Sequence, residues 1–321
     1  MNRRSASPPP SHLSRREFLE TSAAVGLTAL AGPRWLLADD VPTTGPVPPA
    51  MTIGRWTGTG DAPRTIASQL TERVIVELGG MSRFVKRGEV VWVKPNIGWN
   101  RRPEYAANTH PDVVATLVRL CLEAGAKKVK VGDYTCNEAK ASYENSGVAP
   151  AARKAGAEIV FIDTDRFRKM KIGGERLKDH PVYPEMVECD LLINVPVCKH
   201  HGSTTVSLAM KNYMGCVDDR GTFHQDLPTT VADITRFFKP RLSVLDATRA
   251  LVRHGPTGGD LKDVRTLNCV AASVDIVALD AFGSELLDNK PEDIETVTMG
   301  ARYGLGTIDY RSLRPKELSL S

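Results

Sequence analysis

The sequence predicts an α/β protein built on an open, mostly parallel sheet with helices on both faces. Three observations carry that expectation. Short runs such as VVWV, VKVG, IVFI and LLINV are apolar on both faces, as strands buried between helix layers tend to be. They alternate with segments of helical period, the β-α-β rhythm of a parallel sheet. The chain has 321 residues, 41% of them hydrophobic, which is enough for a sizeable core.

Taken in order, EVVWVKPNI (89–97) reads as a strand. THPDVVATLVRLCLEAGA (109–126) reads as a helix, with Thr109 as N-cap, Pro111 in the first turn and Asp112 at the positive end. KKVKVGD (127–133) is a strand, residues 140–157 hold one or two short helices, and AEIVFID (157–163) is a third strand. LLINV is a further buried run. KPRLSVLDA and NCVAASVDIVALDA supply later strands, the second leading into the helix DAFGSELL. No internal repeat is visible.

Residues 1–38 read as a twin-arginine signal peptide. SRREFL (Ser14–Leu19) precedes ETSAAVGLTALAG, which is too short and too rich in Gly, Thr and Ser for a permanent membrane helix. Residues 39–50 form a Pro-rich linker, and 51–321 a single α/β domain. The expected location is exported and periplasmic, with the twin-arginine translocase as partner during export. The formal charge is +4, but five arginines and only two glutamates lie in the first 38 residues, so the remainder carries about +1. No nucleic-acid footprint persists there. None of the six cysteines forms C-x-x-C, so no ferredoxin-type cluster motif lies within the chain. Cys121, Cys189 and Cys269 sit in apolar surroundings. Cys136, Cys198 and Cys216 sit in polar turns, and spacing fixes no disulfide pairing.

In open parallel sheets ligands bind beyond the carboxyl ends of the strands. Four polar groups follow predicted strands: Lys94 and Asn96, Asp133, the run Cys198-Lys199-His200-His201, and Asp246. Gly202, Ser203 and Thr204 before VSLAM read as a loop capping a helix N-terminus, a setting that attracts a small carboxylate or phosphate, with Lys199 adding charge. Alternation along an extended segment puts Cys198 and His200 on one side, and Lys199 and His201 on the other. Cys198 and His200, with Cys216 and His224, are therefore a candidate Fe or Zn ligand set. Lys211 and Asn212 lie about 12 Å of straight helix beyond the cap, too far to share an anion with Ser203 unless the helix is broken or folds back. His110 precedes the helix near Lys94 and is placed to reach the rim. HGPTGGD (His254–Asp260) is a glycine-rich turn that lets backbone approach a ligand. Ser203 lacks the G-x-S-x-G elbow of a hydrolase nucleophile.

The ordered segments KPNIGW, NTHPDVVATLVRLCLEAGAKKVKVGD, INVPVCKHHGSTTVSLAMKNYMG, HGPTGG and SVDIVALDAFGSELL resemble the domain-of-unknown-function 362 family. The resemblance runs from about Glu89 to Leu313. It implies a strand end bearing Lys and then His, followed by a Lys-Asn-Gly motif, here Lys199, His200, Lys211, Asn212 and Gly215. Cys198 before the Lys and a doubled His depart from that pattern. Some members carry iron-sulfur domains, which implies redox work, an iron-sulfur cluster or a redox partner protein. Together these readings give an exported enzyme with His200 or Asp133 as proton carrier and Lys199 and Lys94 holding an acidic substrate. Asn96, His110, Ser203, Thr204, Lys211, Asn212 and His254 would line its pocket. The alternative is a non-catalytic ligand-binding or partner subunit of an exported redox complex.

Overall fold

A computed structural model describes residues 47–58 and 65–321. The twin-arginine segment and most of the linker lie outside the described residues. In chain order the elements are β1 (Met51–Trp56), α1 (Ile66–Glu77), β2 (Val90–Pro95), α2 (Pro111–Glu123), β3 (Lys128–Val131), α3 (Ala139–Asn145), α4 (Val148–Lys154) and β4 (Glu158–Ile159). Then follow β5 (Arg168–Lys171), β6 (Asp179–Val182), α5 (Pro184–Glu188), β7 (Leu191–Val195), β8 (Val197–His201), β9 (Thr205–Ser207), α6 (Ala209–Asn212), α7 (Arg220–Phe223) and α8 (Leu227–Phe238). The last are β10 (Ser243–Leu251), β11 (Val264–Ser273), α9 (Ile276–Leu286), α10 (Glu295–Arg302) and β12 (Lys316–Leu320).

The main sheet runs β12-β1-β11-β10-β7-β2-β3-β4, with the β8–β9 hairpin attached to β10. The block β10-β7-β2-β3-β4 is parallel throughout, and β11 runs antiparallel to both its neighbours. A mostly parallel sheet is therefore what forms. The predicted third strand shrinks to the two residues of β4 at the sheet edge. Strands β5 and β6 form a separate antiparallel pair.

The runs that are apolar at every position divide their side chains between two cores. Val91 and Val93 of β2 and Leu191, Ile193 and Val195 of β7 pack on one face, beneath α1, α2 and α4. Trp92 and Leu192 pack on the other, with residues of α6, α8, α9 and α10. The period of two places consecutive apolar residues in opposite layers, so both faces of the sheet must be covered. Among the described residues no helix is long and apolar enough to cross a membrane.

Two local expectations fail. The stretch after Gly202 does not open a helix: β8 and β9 pair antiparallel, His201 opposite Thr205 and Lys199 opposite Ser207. The chain reverses through the turn at Gly202–Thr204 and the left-handed Thr205 (φ 61°), after which β-branched Val206 sits in the extended return. Helix α6 starts only at Ala209, where the buried Asp280 carboxylate accepts the amides of Ala209 (2.6 Å) and Met210 (3.0 Å). The cap of α2 is also displaced by one residue. His110 Nδ1 accepts the Asp112 amide, while Thr109 Oγ1 donates to Val195 O (2.7 Å) and ties the helix to β7.

Candidate functional site

The parallel strands deliver their polar ends to one rim. Lys94, at the end of β2, is fully buried, and its Nζ lies 2.6 Å from Asp133 Oδ1. It also donates to Pro95 O and to Asn212 Oδ1, each at 3.0 Å. Asp133 Oδ2 accepts the Ile97 amide at 2.7 Å, and Tyr143 OH bonds the backbone of Asp133 on both sides. Gly215 completes this corner, since a Cβ there would fall 1.8 Å from Asp133 Oδ1. Lys94 and Asp133, expected as substrate holder and proton carrier, thus neutralise each other inside the protein.

Lys199 is equally buried but balanced differently. Its Nζ donates to Asn96 Oδ1 (2.7 Å), Ala107 O (2.7 Å) and Pro256 O (3.4 Å), all neutral oxygens. Among the described residues no carboxylate lies within ion-pair distance of Lys199 or Lys211. Burial, then the neighbouring Lys211 charge, lowers Lys199 to about 7. Burial also lowers Lys211 to about 8.

The hairpin returns the chain so that Lys211 Nζ stands 3.1 Å from His201 Nε2. The separation expected from a straight helix is thereby removed. His201 is buried, its Nδ1 accepting the Ser203 amide at 3.1 Å, and burial beside Lys211 and Lys199 depresses it to about 3. Asn212 carries the network between the two lysines: its Oδ1 accepts from Lys94 and from Asn96 Nδ2 (3.3 Å), and its Nδ2 donates to Asn194 Oδ1 (2.8 Å). Arg220 lies close enough to Lys211 for its charge to act on it. It donates to Tyr134 O, Thr135 O and the exposed Cys136 Sγ (3.2 Å), and its guanidinium lies 4.2 Å above the Tyr134 ring.

Of the residues read from the sequence, Lys94, Asn96, Asp133, Lys199, Lys211 and Asn212 come together. His200 does not join them. It lies on the other side of β8, where its Nδ1 accepts the Gly255 amide at 3.2 Å. His110 is held at the base of the rim, its amide on Asp246 Oδ2 (2.7 Å), and burial lowers its pKa. His254 is exposed and paired with Asp263 at 2.8 Å. Ser203 and Thr204 form the hairpin turn and line a separate cleft with Pro228 and Thr296. Sequence reasoning missed His201 and Arg220. Alternation along β8 already grouped His201 with Lys199, whereas no sequence signal marked Arg220.

The proposed metal quartet is dispersed, and among the described residues no three His, Cys, Asp or Glu side chains converge on a metal position. Cys198 and Cys216 are fully buried in the apolar core, where desolvation raises Cys198 well above the usual thiol range and Cys216 to about 12. His224 is exposed, its Nδ1 on Arg220 O. Among the described residues Cys121, Cys136, Cys198, Cys216 and Cys269 form no disulfide.

The family described as "Domain of unknown function (DUF362)" matches residues 91–285, and the chain belongs to it. A thylakoid-associated protein of Synechocystis sp. is 30% identical over 267 residues, covering 77% of this chain and 79% of that protein. Among solved structures, the lactate racemase apoprotein from Thermoanaerobacterium thermosaccharolyticum superposes with a TM-score of 0.46 at 11% identity. That match covers 73% of this chain, and the chain spans only 56% of that structure.

Proposed function

We propose that this protein is an enzyme whose substrate is a small carboxylate or phosphate, bound where β2, β3, β7 and β8 end. The observation that carries this reading is the buried amine of Lys199 beside the half-buried amine of Lys211, with no carboxylate partner for either among the described residues. A buried charge normally has an opposite charge beside it, because desolvation costs several kcal/mol per ion. An anion entering between Lys211 and Arg220 would supply the missing negative charge. Asn96 and Asn212 would hold its position, and His201 would give it an N–H. Clustering of titratable groups with perturbed pKa values is the signature expected of reacting sites.

Because both amines are depressed, an anion should raise their pKa values and draw protons from solution. Calorimetry with inorganic phosphate and malonate, run at pH 8 in two buffers of different ionisation heat, measures this directly. The expected result is saturable binding with proton uptake, lost in Lys211→Met. Binding without uptake, or binding unaffected by the substitution, would remove the site from this rim.

A redox or metal-assisted reaction would draw its metal from outside the Cys198, His200, Cys216 and His224 set, whose members do not meet. Export is part of the same proposal and rests on the Ser14–Leu19 motif. With Arg15→Lys and Arg16→Lys together, cell fractionation should find the protein retained inside. Unchanged export would point to another route.

A further inference from the structure

The geometry points to Lys211 as a neutral amine nucleophile that forms an imine with a small oxo acid, a compound bearing a carbonyl beside its carboxylate. The inference rests on the anion-binding reading above and narrows its substrate class. It follows from which atoms can donate. The Ser203 backbone N–H can only donate, and it donates to His201 Nδ1 at 3.1 Å. A neutral imidazole that accepts at Nδ1 carries its proton on Nε2. That Nε2–H faces Lys211 Nζ at 3.1 Å.

An ammonium has three donors and no acceptor, so it cannot receive this proton; an amine lone pair can. The opposite assignment, with an ammonium donating to Nε2, would set an Nδ1 proton against the Ser203 N–H. Lys211 as a free amine is therefore the arrangement that satisfies all three groups. The groups facing it agree. Desolvation is the main cause lowering its proton affinity, with Arg220 adding to it and Cys136 opposing it. Burial of a lysine beside other cations is a known way to activate an amine toward carbonyl carbon.

The hydrogen-bonding ledger separates Lys211 from the other two lysines. Lys94 and Lys199 each spend their protons on three oxygens. Among the described residues Lys211 has His201 as its one hydrogen-bond partner, and it stays half-buried. In the reaction its lone pair would form the N–C bond as the carbonyl π pair moves to oxygen, which takes a proton from solvent. His201 Nε2–H, released from Lys211, is left free to donate a hydrogen bond to that oxygen. Loss of one water, with the remaining nitrogen proton passing to solvent, gives the imine. No oxidant or reductant is consumed.

The test is reductive trapping of the full-length protein with pyruvate and, separately, glyoxylate in the presence of cyanoborohydride at pH 7.5, followed by intact mass and peptide mapping. One adduct located on Lys211 is expected, absent in Lys211→Arg and reduced roughly tenfold in His201→Phe. Mapping the wild-type protein locates the adduct without depending on how either variant folds. Modification at Lys199, scattered labelling of surface lysines, or no adduct would each overturn the assignment. Malonate binding, measured alongside, separates the two readings. Binding without an adduct sinks the nucleophile and leaves the anion site, whereas loss of both sinks both.

Discussion

Lys94, near the end of β2, and Lys199, within β8, belong to the same sheet, are 0% and 2% exposed, and share a network through Asn96 and Asn212. One faces a carboxylate 2.6 Å away and the other faces neutral oxygens only. The difference separates scaffold from site. Where the ammonium meets Asp133, charge, hydrogen bonds and the missing Cβ of Gly215 close on one another, and nothing is left for a ligand. Where Lys199 and Lys211 lack that partner among the described residues, the protein keeps two amines of lowered proton affinity in a desolvated place, whose protonated forms an anionic substrate would favour.

Breaking the balanced half should have the largest effect. Lys94→Met leaves Asp133 buried and alone, and urea denaturation should find it destabilised by about 3–5 kcal/mol. Gly215→Ala should fail in the same way, because the added carbon and the carboxylate would occupy one position. Wild-type stability in Lys94→Met would mean that the pair is not the structural anchor described.

The unbalanced half should respond in the opposite sense. Lys199 is held at about 7 in the folded protein, against about 10.4 in an unfolded chain. Between those values the unfolded state binds more protons, so this group makes stability rise with pH above 7, and its penalty is fully present below 7. The slope is at most about 1.4 kcal/mol per pH unit. Lys199→Met should remove that rise. The comparison is cleanest between pH 7 and 8.5, before unfolded cysteines titrate. Parallel profiles for the two proteins would show that Lys199 is not desolvated as described.

Much of this division was legible in the sequence, and its limits are physical. Apolar runs marked the strands because a strand covered on both faces is mostly apolar, with its polar residues towards the carboxyl end in β2 and β7, and the rim followed from strand direction. Lys94, Asn96, Asp133 and Lys199 were therefore collected on one rim, and the structure places them together. What failed was the local geometry after Gly202. A capped helix and a hairpin return start from similar polar turn residues, and the choice between them depended on pairing of β9 with β8 and on Asp280, 71 residues from Ala209. That one choice moved Lys211 from a distant helix end to the side of His201. His200 was preferred through family resemblance, although strand alternation put His201 beside Lys199.

Asp280 offers the gentlest way to sharpen the comparison, because it is a third buried charge with a third kind of partner. Among the described residues its carboxylate has no cation beside it, only the amides of Ala209 and Met210, and burial raises it to about 7. An acid raised in the folded state loses stability as pH climbs from its unfolded value near 3.9 towards 7. Asp280→Asn removes that loss but keeps only one acceptor for two amides. Desolvation relief and a lost hydrogen bond of about 1 kcal/mol then oppose each other. Thermal unfolding at pH 8 should show a net change within about 1 kcal/mol, far below that of Lys94→Met. A loss as large as that of Lys94→Met would mean that backbone dipoles balance a buried charge as fully as a counter-ion does. The absence of a carboxylate beside Lys199 would then no longer mark a ligand site.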